Sequence, residues 1–206
     1  MKAAEPLTLV LATMNPHKVS EITEILAGLP VRLLSFRDLP DLPDVVEDGA
    51  TLEENAAKKA REVAAATGLP ALADDTGLEV EYLGGAPGVR SARYAGEPKS
   101  YERNNRKLLA EMADAGPDER RAAFRTIVAL ATPEGEVELV EGRMDGEILT
   151  EPAGEGGFGY DPLFRPEGSG RSFAEMSQAE KNAISHRGRA VRAAREMVLG
   201  LLERRR

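Results

Sequence analysis

The sequence predicts an α/β fold in one unit, with room for two lobes. Three observations point there. A nearly continuous apolar run, Leu7-Thr-Leu-Val-Leu-Ala-Thr13, breaks for two residues and gives way to a helix. Two further helices open on capping boxes, Thr51-Leu-Glu-Glu54 and Ser177-Gln-Ala-Glu180. Two long strand-like segments, Ala122–Ala131 and Val137–Ile148, flank Pro133-Glu-Gly135 as a hairpin would.

Taken in order, Leu7–Thr13 reads as a strand buried on both faces. Asn15-Pro16 then supplies an N-cap and a proline at the first helical position, where a missing N–H costs nothing. Val19, Ile22, Ile25 and Leu26 share one face of that helix, and Gly28 stops it. Val31–Phe36 is a second strand, followed by a Pro/Asp-rich loop. The first capping box starts a helix to Thr67, with Gly68 as its stop. Ala71–Ala73 is a short buried strand ending in Asp74-Asp75-Thr76-Gly77, and Glu79–Leu83 another. Gly84-Gly-Ala-Pro-Gly88 makes a turn. Ser100 caps a helix to about Ala115, and after the loop Thr150–Pro162 comes a short strand at Leu163–Phe164. The second capping box and Ser185 open the closing helices.

Composition narrows the function. At 206 residues, 42% hydrophobic and 30% charged, the chain is expected to be a soluble globular domain. No run approaches the ~18 apolar residues of a membrane span. Met1–Pro6 leads straight into the first strand with no processing site, so no secretory leader is expected. With no cysteine, disulfides, thiolate metal sites and Cys nucleophiles drop out, and a cytoplasmic location is the expectation. A net charge of −8 argues against a general nucleic-acid coat. Four Tyr, five Phe and no Trp leave no broad stacking platform for single strands. The charge is uneven: Asp38, Asp41, Asp44, Glu47, Asp48, Glu53 and Glu54 face Arg37 alone between Phe36 and Asn55. From Lys181 onward, eight bases, ending in Arg204–Arg206, outnumber Glu196 and Glu203.

Several segments carry candidate chemistry, each with a purely structural alternative. Thr13, Met14, Asn15, Pro16, His17 and Lys18 lie at a helix N-terminus, where unpaired N–H groups favour an anion and Lys18 adds a point charge. Equally, Asn15 is simply a cap. Glu54 and the Asp74-Asp75 pair are hard oxygen donors suited to Mg²⁺ and its substrate phosphates. Glu54 also fits its capping box, and the aspartates a polar turn. Adjacent aspartates on an extended chain point to opposite sides, so one of them joins Glu54. Gly154-Glu-Gly-Gly-Phe-Gly159 matches G-x-G-x-x-G, but Pro152 precedes it and Tyr160-Asp-Pro162 follows, so the dinucleotide reading is rejected. The loop instead presents Phe158 and Tyr160 among glycines, either to stack on a base or to pack inward. Lys181, His186 and Arg187 flank a helix junction, where His186 also fits as a surface cap. P-loop, zincin and nucleophile-elbow patterns are absent from the sequence.

The ordered set closely resembles the inosine/xanthosine triphosphate pyrophosphatase family. The segments that carry the resemblance are Thr13–Lys18, Thr51-Leu-Glu-Glu-Asn-Ala-Ala-Lys-Lys59-Ala, Ala73-Asp-Asp-Thr-Gly-Leu78, Gly84–Gly88, Ser91-Ala-Arg-Tyr-Ala-Gly96, Gly157-Phe-Gly-Tyr-Asp-Pro162 and Ser185-His-Arg-Gly188. They run nearly end to end in unbroken order. The resemblance implies an elongated, bilobed α/β fold with a central mixed β-sheet flanked by helices. Residues 1–206 would form one domain, with the active site in a cleft between two lobes, a Mg²⁺ requirement and a homodimer. It implies hydrolysis of ITP, dITP and XTP to the monophosphate and pyrophosphate. Alternatives are a pyrophosphatase of broader specificity and a nucleotide sensor without turnover. By the same resemblance, Thr13–Lys18 hold the triphosphate, and Asp75 is the catalytic acid/base and a Mg²⁺ ligand beside Glu54. Thr76 and Lys59 contact phosphates, and Phe158, Gly159, Tyr160, Asp161, Lys181, His186 and Arg187 bind the nucleoside. The chain departs from the family pattern at Ala153, where relatives often carry Arg.

Overall fold

The computed structural model describes residues 6–39, 42 and 45–204. Met1–Glu5, Asp41 and Asp44 of the acidic run, and Arg205 and Arg206 of the basic tail lie outside the described residues. The strands are β1 (Leu7–Leu11), β2 (Val31–Leu34), β3 (Ala71–Val80), β4 (Pro87–Gly88), β5 (Arg121–Ala131), β6 (Val137–Ile148) and β7 (Phe164–Pro166). The α-helices are α1 (Pro16–Leu26), α2 (Leu52–Thr67), α3 (Tyr101–Glu111), α4 (Gln178–Ile184) and α5 (His186–Arg204). Among the described residues the strands form one mixed sheet in the order β2-β1-β3-β5-β6-β7, with β4 paired to β3. β1 runs parallel to both β2 and β3, while β3–β4 and β6–β7 are antiparallel. The mixed α/β class expected from the sequence is the class observed.

The chain divides into two compact units. The first comprises the described parts of Met1–Asp75, Ile127–Glu141 and Ala190–Arg206. Its core joins Leu7, Leu9 and Leu11 of β1 to Ile22 and Leu26 of α1 and to Val191, Ala194 and Val198 of α5. The second comprises Thr76–Thr126 and Gly142–Arg189. Its core is aromatic: Phe124, Phe164 and Phe173 pack with Leu78, Leu108 and Ile148, the Phe124 and Phe164 rings meeting edge-on at 4.7 Å.

Helix boundaries follow their caps. Asn15 Oδ1 accepts from His17 N–H at 2.9 Å, and Thr51 Oγ1 from Glu54 N–H at 3.1 Å. Gly68 closes α2 in the left-handed conformation, φ 63°. Ser185 ends α4 and caps α5, its Oγ accepting from Gly188 N–H at 3.0 Å.

Three expectations are corrected. Asp74-Asp75-Thr76-Gly77 is not a turn at a strand end; β3 runs straight through it for ten residues. Buried polar side chains are tolerated there because each has a partner, described below. The strand expected at Glu79–Leu83 stops at Val80, and Glu81–Leu83 is a 3-10 turn leading back to β4. Helix α3 ends at Glu111 rather than near Ala115. The buried Arg120 guanidinium there donates to Met112 O at 3.3 Å and Ala115 O at 3.4 Å, and Nε donates to Ile148 O at 2.6 Å. Those bonds satisfy carbonyls that a longer helix would have used itself.

Candidate active site

In the first unit, β3 and α2 bring charged groups together. Leu52, Asn55, Ala56, Lys59, Ala60, Val63 and Ala64 are buried along α2 at helical spacing, so two polar residues sit on its apolar face. Asn55 Oδ1 accepts from Gly49 N–H at 2.8 Å, which turns its Nδ2 to donate to Asp75 Oδ2 at 3.1 Å. Lys59 Nζ donates to Asp74 O at 2.6 Å and pairs with the Glu47 carboxylate. Lys18, in the first turn of α1, reaches the wholly buried Asp74 carboxylate at 3.0 Å.

The electrostatics of this cluster are opposed. Burial pushes the Asp75 carboxyl above its ordinary range; Lys59 and Lys18 pull it back, Glu47 pushes it further up, and the Asn55 bond lowers it. Burial works to lower Lys59, but Asp75, Glu47 and Asp74 together outweigh it and hold the ammonium above its usual value. Three carboxylates, Glu47, Asp74 and Asp75, gather around two ammonium groups, those of Lys18 and Lys59. That donor set of hard oxygens suits Mg²⁺, which uses one or two carboxylates together with substrate phosphates. Among the described residues no group of three His, Asp or Glu side chains forms an all-protein cage.

Glu54 is exposed, and its Oε2 accepts from Ala50 N–H at 2.7 Å. Glu47 is the carboxylate that acts electrically on Asp75. Thr13 Oγ1 accepts from Asn15 N–H at 3.2 Å, Met14 is 65% exposed, and Pro16 and His17 are also exposed.

In the second unit, the groups are aromatic and cationic. Gly157 has φ +69°, and a side chain there would meet Asp161 Oδ2 at 2.2 Å, so glycine lets the loop close on that carboxylate. Asp161 Oδ2 accepts from Phe158 N–H at 2.8 Å and from Lys181 Nζ at 2.7 Å. The Asp161–Lys181 pair is almost fully buried. Lys181 Nζ lies 4.6 Å from the centre of the half-buried Phe158 ring, and the Arg187 guanidinium lies 5.4 Å from it. Arg187 Nη2 donates to Thr76 Oγ1 at 3.1 Å, and Thr76 shares a 2.7 Å hydrogen bond with Thr126. His186 is buried, stacked on Phe124 at 4.4 Å between ring centres. Tyr160 packs inward and donates its hydroxyl to Ser91 O at 2.9 Å, while Asn105 Nδ2 donates to Gly159 O at 3.0 Å. Ala153 is tied down by its backbone, its N–H donating to Pro162 O at 2.9 Å and its O accepting from Ser172 Oγ at 2.7 Å.

Each unit thus gathers one subset of the residues singled out in the sequence: Lys18, Lys59 and Asp75 in the first; Thr76, Phe158, Asp161, Lys181 and Arg187 in the second. Sequence reasoning missed Asn55, Glu47 and Thr126. Asn55 had a signal, a polar residue on the apolar stripe of a helix. Glu47, one acid among seven in its segment, had none.

Comparison with known proteins places these sets in context. The model of the Ham1 family matches residues 9–197. A dITP/XTP pyrophosphatase of Geobacter sulfurreducens is 55% identical over 183 residues, covering 89% of this chain and 92% of the relative. One from Syntrophobacter fumaroxidans is 52% identical over 187 residues, covering 91% and 80%. The solved structure of a HAM1 protein from Coxiella burnetii superposes with a TM-score of 0.86 at 40% identity, covering 94% of this chain and 99% of that one.

Proposed function

The chain belongs to the Ham1 family, and we propose that it hydrolyses the non-canonical purine nucleoside triphosphates dITP, ITP and XTP to the monophosphate and pyrophosphate. The observation that carries this reading is the division just described: a buried carboxylate–lysine cluster in one unit and a ring flanked by two cations in the other. Consecutive residues of β3, Asp75 and Thr76, belong one to each set, and we assign both sets to one substrate and one domain.

Lys18, the N-terminus of α1 and Lys59 offset phosphate charge, and that charge grows as the α–β anhydride breaks. Asp75 and Glu47 would hold Mg²⁺, with Glu54 as the other carboxylate proposed from the sequence. When bound, the ion neutralises phosphate charge and polarises the phosphoryl group. Asp75 accepts the proton of the water that attacks the α-phosphorus, and pyrophosphate leaves. Asn55 fixes which carboxylate oxygen turns inward. Phe158 stacks on the purine, and Lys181 and Arg187 offer only N–H donors. A 6-oxo group accepts from them; the 6-amino group of adenine leaves donor facing donor, a mismatch of a few kcal/mol. A homodimer is proposed on the family resemblance, and a cytoplasmic location on the lack of cysteine. Among the described residues no helix is long and apolar enough to cross a membrane.

The test incubates the protein with dITP, dGTP and dATP, with and without Mg²⁺, and identifies the products. Pyrophosphate from dITP far faster than from dATP, and only with Mg²⁺, is expected. Orthophosphate release refutes the reaction; equal rates on all three favour a broad pyrophosphatase; binding without turnover favours a sensor.

A further inference from the structure

The loop carrying Phe158 is held only in part by its own bonds, Phe158 N–H to Asp161 Oδ2 at 2.8 Å and Asp161 N–H to Phe158 O at 3.2 Å. Glycines at 157 and 159 both have positive φ, +69° and +64°, so the backbone on either side of the ring is the most permissive available. Contacts from outside the loop therefore add to what fixes the ring's direction. Helix α3 makes two of them, from residues one turn apart. Tyr101, at its first position, has its ring centre 6.1 Å from that of Phe158. Asn105, four residues on, donates from Nδ2 to Gly159 O at 3.0 Å, across 54 positions of sequence.

Asn105 is also oddly placed for a residue that only fills space. Its Oδ1 is buried and, among the described residues, has no hydrogen-bond partner. Such an atom destabilises the fold, so the position would be better filled by a leucine if packing were its purpose. The neighbouring Asn104 shows the contrast. Its Oδ1 accepts from Ala95 N–H at 2.8 Å, and its Nδ2 donates to Ser91 O at 3.2 Å and Ala92 O at 3.1 Å. Asn104 is satisfied within the scaffold; Asn105 has one bond, and it goes to the residue after Phe158.

We infer that Asn105 is a positioning residue for nucleoside recognition, acting by holding Gly159 O so that Phe158 presents its face to the base, with Tyr101 bracing the ring. This rests on the nucleoside role assigned to Phe158 above. The test is a double-mutant cycle of Asn105→Ala and Phe158→Ala, reading kcat and KM for dITP and the inhibition constant of inorganic tripolyphosphate, which has no base. Asn105→Asp, nearly the same shape but without the amide donor, serves as the second variant, and thermal midpoints report folding.

Both Asn105 variants should raise the dITP KM about tenfold, with kcat and tripolyphosphate inhibition within twofold of the parent. In the Phe158→Ala background, Asn105→Ala should change KM less than twofold. An Asn105 effect that persists in full in that background overturns the inference, as do an unchanged KM or parallel losses in kcat and tripolyphosphate binding. If Phe158→Ala itself leaves the dITP KM unchanged, the nucleoside role of Phe158 fails and this inference falls with it.

Discussion

The two units gather their functional groups by different physics. In the first, Lys18, Lys59, Asp74 and Asp75 are ionisable groups on regular elements, joined by Glu47 from the segment before α2 and held by charge pairing and by Asn55. In the second, Phe158 sits on a glycine loop, and its place depends on Asp161, Lys181, Arg187 and α3. The first consists of charges kept largely out of water. The second adds a ring face and directional donors to a single buried ion pair, Asp161–Lys181. Chemistry on a phosphoanhydride needs the former; discrimination between bases needs the latter.

The largest expected effect is at Asp75. Asp75→Asn should cut turnover of dITP by about a thousandfold or more, measured under saturating Mg²⁺. Its stability should move the other way. A carboxyl held above its ordinary range contributes stability at low pH and loses that contribution as pH rises through its folded value. At neutral pH the ionised form therefore destabilises the fold, and the neutral amide should raise the thermal midpoint. A lowered midpoint would mean that Asp75 is held chiefly by its lysines, and that the cluster is a structural salt-bridge network.

The two glutamates sharpen the same comparison. Glu47→Gln should weaken Mg²⁺ activation about tenfold, seen as a shift of the activation curve, whereas Glu54→Gln should shift it less than twofold. The reverse order would return the metal to the helix cap. The smallest effect belongs to an exposed ion pair that includes no member of either set. The Arg171 bond, with help from Ser177, draws Glu180 down to about 2. That contribution is present above the ordinary glutamate value and fades as pH falls toward the folded one. Arg171→Ala should shift the acid unfolding midpoint only slightly and leave dITP turnover alone.

Much of this was legible in the sequence, for reasons that differ by element. Caps at Asn15, Thr51, Ser177 and Ser185 were readable because capping uses neighbours within three residues. The course of β3 was not. Asp74 and Asp75 read as a turn because their partners, Lys18 and Asn55, lie 56 and 20 residues away. Burial of a carboxylate is decided by such distant groups and not by local propensity. Arg120 explains the early end of α3 in the same way, by bonds to Ile148 and Leu149. In the site, Lys59 came only from family resemblance, although it and Asn55 share an apolar helical stripe that marks both. Tyr160 and Phe158, two residues apart, looked alike in the sequence; one ring went to the core and the other to the cations.

The division of labour is tested most directly by one ratio, kcat/KM for dITP over dATP, in Arg187→Lys and Lys18→Met. Lysine keeps the charge at position 187 but loses the planar guanidinium fork, so the ratio should fall at least tenfold there. In Lys18→Met both substrates should slow together and the ratio should stay within about twofold. A ratio that collapses in Lys18→Met and holds in Arg187→Lys would contradict the assignment of phosphate to the first unit and base to the second.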